Sequence, residues 1–425
     1  MAKEMKDSGI EWIGEIPIDW KIIPIKYLTS YNDEVLGEST DLEYEFDYIE
    51  IGSVEYGKGI TQVERLKFAN APSRARRIVR PNDIIVSTVR TYLRTIATVH
   101  DSDVVQIAST GFVVIRAKSI NPEYLRYSIL SESFISMVEA YSTGISYPAI
   151  NPSVVVGFKI PVPCNKEQKR IALFLNEQCG ELDNILSKTR TSIEEYKKLK
   201  QAVITRAVTQ GVRNDREMKN SIVEWIEKIP IDWKEQRIKT LFDLRDEKNY
   251  LPLEEVNLIS LYTDLGVVQH SELEKTTGNK ATNADGYKIV CENDIVVNII
   301  LCWMGAIGCS AYNGVTSPAY DIYVPRSGVD SRFYHYYFRT KGFSGDCYKR
   351  GKGIMAMRWR TYSEQFRDIC VVYPPLGEQI EIVNYLDEKC AEIDNLIAKK
   401  QHYLAEIENY KKSLIYEYVT GKKEV

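Results

Sequence analysis

Two short stretches of this chain are crowded with arginine and lysine. Between Lys58 and Arg94 stand Lys58, Arg65, Lys67, Arg74, Arg76, Arg77, Arg80, Arg90 and Arg94 against only Glu64 and Asp83, a local excess of seven positive charges. Between Lys349 and Arg367, the residues Lys349, Arg350, Lys352, Arg358, Arg360 and Arg367 face Glu364 alone, an excess of five. Attraction to a polyanion needs such local clusters, and an arginine can also grip a guanine edge with two hydrogen bonds. A solvated basic face is the competing reading of either cluster; a cluster in each half favours phosphate contact. Two loops add donors: Ser142-Thr143-Gly144-Ile145-Ser146-Tyr147 and Lys349-Arg350-Gly351-Lys352-Gly353-Ile354, where glycine lets backbone approach a phosphate. The candidate contacts are Lys58, Arg74, Arg76, Arg77, Arg90, Tyr92, Arg94, Ser146 and Tyr147 in the first half, and Asn298, Trp303, Lys349, Arg350, Lys352, Arg358 and Arg360 in the second. Trp303-Met304-Gly305 reads either as a wedge or, preferably, as a turn over the core.

No constellation for bond-making accompanies them. Asn121-Pro122-Glu123 and Asn151-Pro152-Ser153 lack the second proline and the aromatic residue of an adenine methyltransferase tetrapeptide. Gly351-Lys352-Gly353 fails the phosphate-loop spacing. Pro81-Asn82-Asp83 has no nearby Glu-x-Lys to complete a nuclease site, and His100-Asp101 reads as a solvated turn. The eight cysteines make no Cys-x-x-Cys and the four histidines are isolated, which argues against structural zinc and for reduced thiols.

The elements that must carry these residues occur twice. Glu11-Trp12-Ile13 and Ile16-Pro17-Ile18-Asp19-Trp20-Lys21 return 213 residues on as Glu224-Trp225-Ile226 and Ile229-Pro230-Ile231-Asp232-Trp233-Lys234. At an offset of 211, Glu167-Gln168, Leu182-Asp183-Asn184 and Val208-Thr209 match Glu378-Gln379, Ile393-Asp394-Asn395 and Val419-Thr420. Two copies of so long a period mean two domains, not a solenoid. Leu175, Cys179, Leu182, Leu186, Thr189 and Ile193 follow 4-3 spacing, as do Leu386, Cys390, Ile393, Ile397, Lys400 and Leu404. Each seam lies in some 40 proline-free residues, a rod of roughly 60 Å. A lone rod would leave its stripe wet, so the two should pack on each other about a pseudo-twofold axis. Between them lie β-rich runs such as Asp83–Val89, Gly111–Ile115, Asp294–Ile300 and Tyr320–Val324, followed by amphipathic helical stretches at Pro122–Met137 and Ser331–Phe343. The expected fold is therefore two α+β domains on two long antiparallel coiled-coil helices. Its segments are 1–21 (leading segment), 22–163 (first head), 164–210 (long helix), 211–234 (repeat of the leading segment), 235–375 (second head) and 376–425 (second long helix).

Composition adds only exclusions. The 425 residues carry 55 Lys+Arg and 59 Asp+Glu, a net charge of −4, and 44% hydrophobic residues. That is an ordinary globular balance, and no uniformly basic coat. No apolar run approaches 18 residues and the first residues alternate in charge, from which a cytoplasmic chain with neither a secretory signal nor a membrane span is expected.

Ile160-Pro161-Val162-Pro163 leading into Glu167-Gln168-x-x-Ile171-x-x-x-Leu175-Asn176, and Tyr373-Pro374-Pro375-Leu376-x-Glu378-Gln379-x-x-Ile382-x-x-x-Leu386-Asp387, resemble the conserved regions of type I restriction-modification specificity subunits. Trp12-Ile13-Gly14-Glu15-Ile16-Pro17 resembles the amino-terminal segment of the same family. The first copy departs from it in reading Pro163-Cys164-Asn165-Lys166 where a Pro-Pro-Leu run is usual. The resemblance implies a non-catalytic subunit with two target recognition domains, each reading half of a split, asymmetric double-stranded DNA site. It implies partners as well: two methyltransferase subunits that bind S-adenosylmethionine and methylate adenine, and restriction subunits that use ATP and Mg2+ in host defence. No cofactor is expected on this chain itself. A coiled-coil scaffold whose heads bind proteins is the alternative reading of the residues.

Overall fold

A computed structural model describes residues 4–270, 283–353 and 359–425. The chain divides into two compact units, Met1–Arg190 with His402–Val425, and Thr191–Gln401. The division cuts across both long helices, Asn165–Gln210 and Leu376–Val419, so each unit holds one head together with part of each helix. Among the described residues no helix is long and apolar enough to cross a membrane.

In the first unit an antiparallel sheet runs in the order Ile96–Thr98, Ile84–Ser87, Phe112–Ala117, Thr29–Tyr31. The run Ile84-Ile85-Val86 is apolar at every position because both faces are covered. Ile84 and Val86 enter the core that the head shares with the long helices, whereas Ile85 enters a separate core with Ile49, Val79 and Phe112. A second sheet, in the order Glu64–Lys67, Glu45–Ile49, Gln106–Ser109, Ala75–Val79, lies beyond, with Glu45–Ile49 and Gln106–Ser109 parallel. The second unit repeats the first sheet as Phe242–Arg245, Tyr320–Pro325, Ile295–Asn298, Ile307–Cys309. Its strand Ile295–Asn298 divides likewise, Ile295 and Val297 to one core and Val296 to the other.

Each amphipathic stretch that reads as one helix is two. Pro122–Leu130 gives way to Glu132–Ala140 at Ser131, whose hydroxyl accepts from Phe134 N–H. Ser331–Phe338 gives way to Lys341–Arg350 at Thr340, whose hydroxyl accepts from Phe343 N–H. A side chain that caps the next helix competes with continuing the previous one, which periodicity alone does not register.

A buried glutamine ties each head to a long helix. Gln168 donates to Pro163 O (2.9 Å) and accepts from Asn121 N–H (2.9 Å). Its repeat, Gln379, donates to Pro374 O (2.8 Å) and accepts from Asp330 N–H (2.8 Å). The helices pair antiparallel within each unit: Asp183 meets Lys411 and Arg190 meets Glu408 in the first, and Lys200 meets Asp394 in the second. Of the seam, Leu175, Leu186, Ile193, Leu386 and Ile393 are buried. Leu182, Ile397 and Leu404 are only half-buried, because two helices cannot enclose both flanks of a stripe.

Candidate nucleic-acid interface

Most of the first basic cluster is already neutralised. Lys58 pairs with Glu55, Arg65 with Asp47, Lys67 with Glu43, Arg80 with Glu34, and Arg94 with both Glu132 and Glu139. Lys58 and Arg94 therefore differ from the free phosphate contacts their types suggested. Arg74, Arg76, Arg77 and Arg90 are left without a carboxylate among the described residues. The strand Ala75–Val79 then separates Arg76 from Arg77. The Arg76 guanidinium lies 5.0 Å from the Phe68 ring and donates to Ala75 O. Arg77 is half-buried, its Nε finds no hydrogen-bond partner, and burial lowers its pKa. Among the described residues Arg74 and Arg90 are the free, exposed cations of this cluster.

A chain of hydrogen bonds gathers the segments that carry them. Thr110 N–H donates to Arg74 O (2.8 Å), Thr88 N–H to Gly111 O (2.8 Å), and Ile150 N–H to Thr88 O (2.9 Å). Thr91 Oγ1 donates to Ser142 Oγ (2.7 Å), closing the turn 87–94 onto the loop 142–149. The Arg90 guanidinium stands 5.3 Å from the Tyr147 ring. Tyr92, Ser146 and Tyr147 are exposed beside it, and Ile145, which the charge pattern does not mark, is fully exposed at the loop tip. Cations interleaved with aromatic faces and hydroxyl donors can bind phosphate and meet base edges.

The second unit builds its patch at the equivalent place from different residues. Thr361 N–H donates to Ile299 O and Thr361 Oγ1 to Cys347 O, joining the turn after Ile295–Asn298 to the end of the helix Lys341–Arg350. Lys349 is held by Glu224, which leaves Arg350, Lys352 and Arg360 exposed and without a carboxylate among the described residues. Lys352 and Arg360 face each other across a β-bridge. Arg358 and Ile354 lie outside the described residues. Tyr348 and Trp359, absent from the expected contacts, stack with centroids 5.0 Å apart. Their signal was present as aromatics next to the basic residues, in Tyr348-Lys349-Arg350 and Trp359-Arg360. Gly351 serves that stack directly, since a Cβ there would meet Trp359 Nε1 at 2.2 Å.

Two expected contacts have structural duties. Asn298 is buried and accepts from Ile300 N–H and Leu301 N–H, so its amide shapes the turn. Trp303 donates to Ile300 O and packs on Tyr348, leaving Leu301 and Met304 as exposed side chains of that turn. Asp83 and its repeat Asp294 are also structural: each is buried, takes a guanidinium (Arg116 or Arg245) and closes a turn with a left-handed asparagine, Asn82 or Asn293.

Residues 27–195 match the family model described as the type I restriction modification DNA specificity domain. The chain is 24% identical over 435 residues to the MjaVIII type I restriction enzyme specificity subunit of Methanocaldococcus jannaschii, covering 96% of this chain and 93% of that one. It is 22% identical over 329 residues to the EcoDI specificity subunit of Escherichia coli, covering 71% and 70%. In fold it is similar to a chain from a solved structure of type I restriction-modification complex assembly and conformational transition (TM-score 0.73, 20% identity, 96% and 99% covered). It is also similar to the HsdS subunit of Thermoanaerobacter tengcongensis (TM-score 0.51, 21% identity, 96% and 98% covered). A specificity-domain match on residues 27–195, relatives aligned along nearly the whole chain and a shared fold make this chain similar to type I restriction-modification specificity subunits.

Proposed function

We propose that this chain is the DNA sequence-specificity subunit of a type I restriction-modification system, each head reading one half of a bipartite double-stranded site. The observation that carries the reading is the pair of equivalent loop patches, each with carboxylate-free cations beside exposed aromatics: Arg74, Arg90, Tyr92 and Tyr147 in one, Arg350, Lys352, Arg360 and Tyr348 in the other. Phosphate contacts fix register and carry no sequence information, so specificity falls to the side chains that differ between the patches. The chain recognises and scaffolds without catalysing. Two methyltransferase subunits supply S-adenosylmethionine-dependent adenine methylation, and restriction subunits supply the ATP- and Mg2+-dependent step.

Arg74→Ala with Arg90→Ala, measured in the assembled methyltransferase complex, tests this. Affinity for DNA should fall, and the log–log salt slope should flatten by up to about one unit per lost phosphate contact. Unchanged affinity and slope would identify the first patch as a solvated face and favour heads that bind protein. Mapping methylated adenines in host DNA with and without the chain supplies the site sequence.

A further inference from the structure

Arg94 holds a backbone conformation that its side chain disfavours. It follows the short turn Thr91–Leu93 at φ 53° and ψ 37°, in the left-handed region. Its equivalent 211 residues on is Gly305, left-handed at φ 88°, where no side chain opposes that geometry. A non-glycine residue persists there when its surroundings over-determine it, and around Arg94 they do. Nε and Nη2 fork onto the Glu139 carboxylate at 2.8 and 3.0 Å, and Nη1 reaches Glu132 at 3.2 Å. Tyr56 donates its hydroxyl to Glu132 (2.9 Å), and its ring lies 5.9 Å from the guanidinium. Lys412, on the second long helix, reaches Glu132 at 3.1 Å. The Glu139 hydrogen bond is the main cause that raises the Arg94 pKa, against a desolvation cost.

Every nitrogen of this guanidinium is thus engaged inside the first unit, four residues from the free Arg90. We propose that Arg94 is a positioning residue for the first half-site: it braces the turn 87–94 against the helix Glu132–Ala140 and, through Glu132 and Lys412, against the long helix. In that way it sets where Arg90, Tyr92 and Tyr147 stand without touching DNA. The proposal rests on the DNA-recognition reading above. The brace belongs to the first unit alone, because Gly305 and Gln201 occupy the positions of Arg94 and Lys412 in the second.

The test uses the assembled complex and the DNA site found by methylation mapping, in competition with DNAs changed one base pair at a time. Arg94→Ala and Glu139→Gln should each cut discrimination within the first half-site, by about tenfold at the affected position. Discrimination in the second half-site and the salt slope should both be unchanged. The double variant should be no worse than either single one, and Arg94→Lys should recover part of the loss. If Arg94 instead touches phosphate, Glu139→Gln frees it and raises affinity while Arg94→Ala flattens the salt slope; either result, or intact discrimination, overturns the proposal. Should Arg94→Ala not fold, as thermal unfolding would report, the volume-conserving Glu139→Gln carries the same comparison. Arg90→Ala without effect on affinity would instead undo the DNA-recognition reading itself.

Discussion

A buried side chain that satisfies two backbone groups is expensive to remove, and Gln168 and Gln379 each do so. Gln379→Leu keeps the volume but strands the Asp330 N–H and the Pro374 carbonyl, at an expected cost of about 2–4 kcal/mol, read as a lower denaturant midpoint with an unchanged slope. His335 gives the second unit a pH dependence. Burial first, and the Arg339 guanidinium second, push its pKa down to about 3, and its Nδ1 accepts from Cys309 N–H (3.2 Å). A base depressed below its unfolded value of about 6.5 stabilises the fold above that pH, and the contribution is lost as the pH falls from about 6.5 toward 3. Near pH 5 the loss is about 2 kcal/mol. His335→Gln keeps an acceptor for Cys309 and should flatten this acid limb in urea titrations followed by tryptophan fluorescence.

At the scale of elements, the repeated segments explain each other. The turn that ends the second long helix packs on the leading segment of the first unit: Lys422 Nζ donates to Glu15 O, and a Cβ on Gly421 would collide with Pro17 and approach Trp20. In the second unit the turn ending the first long helix does the same, with Gly211 against Trp233. Ile16 and Trp20 are therefore buried by a helix end at the other end of the chain, and their repeats Ile229 and Trp233 are also buried, beside the end of the helix that directly precedes them. Removing residues 420–425 should lower the stability of the first unit by about 1–2 kcal/mol and raise amide exchange at Glu15 and Ile16, while leaving the second unit untouched; equal effects on both would contradict the assignment.

For the whole molecule, duplication with divergence has a functional consequence. Among the described residues the first unit carries two four-stranded sheets and the Arg94 brace, while the second carries one four-stranded sheet, a Tyr348–Trp359 stack and no counterpart of that brace. Exchanging residues 22–163 for the corresponding region of a relative should therefore change one half of the methylated sequence and leave the other half intact. Methylation mapping that shows both halves altered, or neither, would exclude independent heads.

The repeat, both long helices, the main strands and the division into two α+β heads are legible along the chain, because local periodicity and self-similarity determine them. Tertiary structure alone decided which cations are free. Arg94 is neutralised by carboxylates 38 and 45 residues further on, and Arg65 by one 18 residues back. A count of local charge therefore overstated the first patch. Asn298 and Trp303 turned inward for a related reason: their amide and indole satisfy backbone groups of their own turn, and residue type does not reveal whether a polar group faces solvent or a turn. The Tyr348–Trp359 stack needed the chain to double back through Gly351, a closeness that spacing in sequence does not encode.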